Sequence, residues 1–396
     1  MQNRIAMPRG IARTGPILFS YGFRPFFLGA GVWAVAAMAV WLAALTLGLE
    51  VAGDYGGAPW HGHEMLFGFP PAVLAGFLLT AVPNWTGRLP VSGTPLMALF
   101  AVWVAGRLAM LAPGLIGVPA AVGIDLVFLP SLMVICAREV IAGRKWGDMK
   151  ILTGLLALSV ANLLFHLAVL GSDDSGMAHR LAISAYVMLI IVIGGRIIPS
   201  FTRNWLKKRG GERFPAPHGR FDLLAILSSL LALAGWVVLP EFPPLALVAA
   251  LAALLHSLRL LRWRGWETTP ESLLLILHLA YGFVPLGLAG IALGALGVID
   301  SYSVLHLLSV GTTATMMIAV MSRVSCGHTG RPLEASRLTS ASYAAIMLAA
   351  VLRPLANVLP QHHFALVGAA GAFWIIAFAL FCADCGPMLV TSRRSA

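Results

Sequence analysis

Residues 59–83 read PWHGHEMLFGFPPAVLAGFLLTAVP, a run of membrane-spanning length headed by a polar cluster. Within Pro59–Met65 lie two imidazoles, a carboxylate and a thioether: His61, His63, Glu64 and Met65. Such groups in or beside hydrocarbon are costly, so a functional role is their default reading. On a helix, residues two apart point about 200° apart, so His61 and His63 share no helical face. An extended lead-in, with His63 on the first helical turn and His61 just before it, allows the two rings to converge. Histidine is the commonest metal ligand, and a thioether favours a soft ion such as Cu(I). The competing reading is an amphipathic anchor at the headgroup layer. Phe69-Pro70-Pro71 interrupts the hydrogen-bond ladder of the same run and opens space for a ligand in its outer half.

Outward from this stretch the same pattern recurs. The chain has 396 residues, 59% hydrophobic and only 11% charged, against about 25% charged for a soluble domain. Twelve spans are predicted, at 25–48, 63–83, 95–112, 118–141, 150–171, 179–200, 221–240, 243–263, 271–293, 302–323, 337–357 and 364–385. The fold class is therefore all-α: a polytopic membrane helical bundle of about twelve transmembrane helices. It comprises an N-terminal arm at 1–24, one transmembrane domain at 25–385 and a tail at 386–396. The first run is too long for a signal peptide. The net charge of +11 follows the loops: 23 of the 27 Lys and Arg fall on one side, which by the positive-inside rule makes both termini cytoplasmic. That distribution is topology rather than a nucleic-acid surface. Four cysteines give no disulfide framework, and Cys382-x-x-Cys385 without a second pair reads as helix packing.

Further candidates lie on other spans. Arg107 and Asp125 flank the tight hairpin of spans three and four at matching depth, as a neutralising ion pair would. Ser159, Asn162 and His166 share one face of span five, and His306, Val310, Thr313 and Met317 share one face of span ten. His278 lies toward the inner side, as do His256 and His328. Arg24, Arg196, Arg203, Arg323 and Arg331 gather there too, as a clamp for an anion. His63–Thr86, His179–Thr202 and His306–Thr329 are each 23 residues apart, with an Arg within two positions after each Thr. They begin and end spans two, six and ten, a hint of three four-helix repeats.

The strings GFRPFFL (Gly22–Leu28), WHGHEMLFG (Trp60–Gly68), LLTAVPNWTG (Leu78–Gly87), GGRIIPSFTRNWL (Gly194–Leu206) and MSRVSCGHTGRP (Met321–Pro332) resemble the NnrS proteins. The likeness runs from Gly22 past Pro332. It implies a haem- and copper-containing protein of the bacterial inner membrane, produced in the nitric-oxide response of denitrifiers and pathogens and protective against nitrosative stress. The expected cofactors are haem b and copper, and the expected partners are the lipid bilayer and nitric oxide or its metal adducts. From the residues, His63, His166, His306 and His278 are the candidate haem ligands. His61, His63, Met65, His166 and His306 are the candidate metal set. A transporter or permease for copper, a haem-related metabolite or a small anion is the alternative, since broken helices and intramembrane charges suit that class. A terminal-oxidase-like dinuclear centre fits less well, because the adjacent pair His362-His363 falls in an outer loop.

Overall fold

Apolar runs bounded by proline starts and glycine stops become twelve helices long and apolar enough to cross a membrane. They are α1 (Phe23–Leu47), α2 (Gly57–Thr86), α3 (Thr94–Leu111), α4 (Val118–Ala142), α5 (Trp146–Gly171) and α6 (Gly176–Lys208), then α7 (Arg220–Val238), α8 (Pro244–Leu261), α9 (Ser272–Ala295), α10 (Ser303–His328), α11 (Arg337–Val358) and α12 (Pro360–Val390). This computed structural model describes residues 15–394. Arg4, Arg9 and Arg13 of the basic arm lie outside the described residues. Left-handed Gly48 and Gly87, at φ 69° and 71°, end α1 and α2 as a residue with a Cβ would not readily do.

The chain is an all-α, multi-pass membrane protein, and its spans match those read from hydropathy apart from the start of α2 and the ends of α6, α10 and α12. α2 begins at Gly57 rather than 63, because Pro59 is tolerated in a first helical turn and the segment before His63 is helical. α6 continues to Lys208, and α10 to His328, because polar residues prolong a helix beyond the hydrocarbon where hydropathy ceases to register it, and α12 runs on through Gly386 and Pro387 to Val390.

Consecutive helices pack on one another, and α1 packs on α12 to close the ring. α2, α6 and α10 touch one another, with α2 the most buried span. Each of these three carries a π-helical segment: Glu64–Gly68, Ile190–Gly194 and Leu307–Ala314. Such wide turns leave carbonyls in hydrocarbon that a neighbour must satisfy. Pro70 cannot donate to Leu66, whose carbonyl instead accepts from the Tyr186 hydroxyl at 2.9 Å. Gly68 O accepts from Trp103 Nε1 at 2.9 Å. In α6, Ile191 O accepts from Arg259 Nη1 at 3.1 Å. In α10, Thr313 and Thr315 hydroxyls donate to the carbonyls five residues back, each at 3.0 Å.

Candidate metal and cofactor centre

Because α2 is helical from Gly57, His61 and His63 leave it on opposite sides. The converging arrangement required an extended lead-in, and the helix removes it. Here "outer" denotes the end away from the basic loops. In that half, His63 faces α3, α4 and α5, whereas His61 faces a cavity among α1, α6, α10, α11 and α12.

On the first side, His63 and Glu64 join Arg107, Asp125, Asn162 and His166 in a fully buried polar cluster. Both imidazoles point Nε2 at one atom, Asp125 Oδ2, each at 3.1 Å, and Asn162 Nδ2 donates to that oxygen at 2.8 Å. His63 Nδ1 lies 3.0 Å from Glu64 Oε1, and His166 Nδ1 lies 2.9 Å from the Tyr55 hydroxyl. Arg107 pairs with Asp125 Oδ1 and, at 2.5 Å, with Glu64 Oε2, which also accepts from Trp33 Nε1 at 2.7 Å. Carboxylates only accept, so with both His63 nitrogens donating, two cations balance two anions. Burial, reinforced by the charges of Asp125 and Glu64, pushes the pKa of Tyr55 up, so it remains a neutral phenol. The Arg107–Asp125 pair expected from depth is present, as part of this larger network rather than by itself. Ser159 takes no part, its hydroxyl donating to Leu155 O at 2.9 Å.

On the second side lies a cavity of about 350 Å³, lined by His61, His179, His306 and His363, with Arg353 the guanidinium among them. Met38, Met65, Leu42, Phe69 and Trp374 give it apolar walls. The His61 ring stacks on Trp41 at 4.5 Å between centroids and 8° between planes. Its Nδ1 is buried with no hydrogen-bond partner. His179 Nδ1 donates to Ser175 O at 2.8 Å, which leaves Nε2 as the nitrogen with a free lone pair. That Nε2 lies over Gly62, where a Cβ would come within 3.0 Å of it.

The expected single outer set is thus two sets: His63 with His166, and His61 with His306 and Met65. His278 lines neither: Nε2 shares a 2.9 Å hydrogen bond with Thr202 Oγ1, and the backbone of Gly265 packs against Nδ1. None of the five inner arginines lines the cavity, and four of them are engaged locally. Arg24 Nη1 donates to Leu389 O and Thr391 O at the end of α12, both at 2.8 Å. Arg196 is exposed and 3.8 Å from Asp148, Arg203 Nη2 donates to Pro215 O, and Arg323 lies over the Phe201 ring. Arg331 Nη1 is buried without a partner. Arg353, from α11, is the cation that stands beside the imidazoles of the cavity. His179 and Arg353, outside the candidate sets read from the sequence, also line the cavity. The 23-residue register pointed to His179, but no sequence pattern marks Arg353 or Tyr55.

A twelve-helix bundle of membrane-spanning length with imidazoles gathered on both flanks of one helix, α2, defines the class: a polytopic membrane protein. The family model described as NnrS protein matches residues 17–393, and the chain belongs to the NnrS family. No curated protein matches it.

Proposed function

We propose that this is a haem- and copper-binding protein of the bacterial inner membrane, with both termini cytoplasmic, that mitigates nitrosative stress by handling nitric oxide or its metal adducts. One observation carries the reading: imidazoles from α2, α6 and α10 meet the Arg353 guanidinium in a cavity with largely apolar walls. Haem asks for imidazole at its iron, apolar walls for its ring and cations for its propionates. His61, His179 and His306 offer the nitrogens, Trp41, Phe69 and Trp374 the walls, and Arg353 the charge. The partnerless His61 Nδ1 is a donor atom that a ligand would satisfy. Thioethers of Met65 and Met38 line the same cavity and suit Cu(I). Bound haem would supply an iron that takes nitric oxide directly.

The residues of this chain hold and orient. Trp41 fixes the plane of His61, the Ser175 carbonyl fixes the tautomer of His179, and Gly62 leaves room between them. Nitric oxide is small and apolar and enters through lipid, so no polar channel is required. Family membership supports the cofactors and the nitrosative-stress role.

Purified full-length protein should carry a Soret band and copper, and the reduced band should shift when nitric oxide is added. Protein with neither visible absorption nor metal would overturn this in favour of transport.

A further inference from the structure

We infer that the buried cluster on the far side of α2 is a second metal site, separate from the cavity, that binds a divalent first-row transition ion through His63 Nε2, His166 Nε2 and Asp125 Oδ2. These three atoms lie within 4.8 Å of one another, on three different helices, among buried residues. Convergence alone does not make a site; what surrounds these atoms does. A ligating histidine nearly always gives its other nitrogen to a carboxylate, carbonyl or hydroxyl that fixes its ring and tautomer. Here His63 Nδ1 is held by Glu64 and His166 Nδ1 by the Tyr55 hydroxyl. The other Asp125 oxygen is held by Arg107. Every converging donor therefore has an outer partner that aims it. Asn162, 3.2 Å from His63 Nε2 through Oδ1, adds a neutral oxygen beside the same point.

The donor set selects the ion. Two imidazoles exclude Mg²⁺ and Ca²⁺, which take oxygen ligands. No thioether or thiolate is among the three, so the soft Cu(I) chemistry read from Met65 belongs to the cavity. Two nitrogens and a carboxylate suit Cu(II), Fe(II) or Zn(II).

This inference goes beyond the cavity reading and stands without it, and the test separates the two. Cu(II), the tightest-binding of the divalent first-row ions, is the probe, added to the full-length protein in detergent and read by metal content and electron paramagnetic resonance. Wild type should bind Cu(II) with hyperfine coupling to two imidazole nitrogens. H166A should lose that signal while keeping the wild-type Soret absorption and gel-filtration profile. H61A should keep the two-nitrogen signal. Tyr55→Phe retains all three ligands and should weaken Cu(II) binding by about 10–100-fold, a result that does not depend on whether H166A folds. Wild type without the two-nitrogen signal, or Tyr55→Phe and H166A that both bind as wild type does, would overturn the inference.

Discussion

Gly68 sits beneath the Glu64 carboxylate and the Arg107 guanidinium. A Cβ there would strike Glu64 Oε2 and come within 2.6 Å of Arg107 Nη1. Both groups are buried and paired to each other, so neither can swing away without leaving an uncompensated charge, a change that costs about 3–5 kcal/mol for a buried pair. Gly68→Ala should therefore destabilise the protein by about 1–3 kcal/mol, the usual range for overpacking, read as a lower Tm in detergent; an unchanged Tm would show the cluster to be looser than its geometry. At the same scale, residue type announced His61, His63, Glu64 and Asp125 as costly groups needing partners. Which partner each takes depends on the direction of a side chain, and that was hidden until the first turn of α2 was known.

At the level of the helix, the twelve spans were legible because hydrocarbon thickness fixes their length, and among the described residues no loop is long enough to blur the count. The Pro70-Pro71 break was legible too, since proline has no N–H to give. Its form was not: a π-helical segment before the prolines depends on donors from other helices, Tyr186 for Leu66 O and Trp103 for Gly68 O. Tyr186→Phe removes one of them and leaves a buried carbonyl unsatisfied. It should cost about 1–3 kcal/mol, measurable as a Tm loss, and also faster proteolysis near residues 64–68. A neutral Tyr186→Phe would mean that the segment satisfies itself. An extended lead-in would let His61 and His63 converge, but the helix already runs from Gly57 through Pro59 and Trp60.

Over the whole bundle, α2, α6 and α10 pack on one another and each carries a π-helical segment. His179 and His306 line the cavity from α6 and α10, as His61 does from α2. The 23-residue register ends in matching threonines: Thr86, Thr202 and Thr329 each donate to the carbonyl four residues back, at 2.9, 3.0 and 2.6 Å. Charge distribution predicts that reporters fused to either terminus are cytoplasmic; a periplasmic signal from one of them would break the topology. The separation of two centres by one helix is what the architecture adds to the sequence, and it makes paired substitutions diagnostic. The most direct measurement is the Soret absorption of His61→Ala and His63→Ala proteins purified side by side. The account predicts a band lost or strongly shifted in His61→Ala and retained in His63→Ala. A band abolished by His63→Ala and untouched by His61→Ala would contradict it.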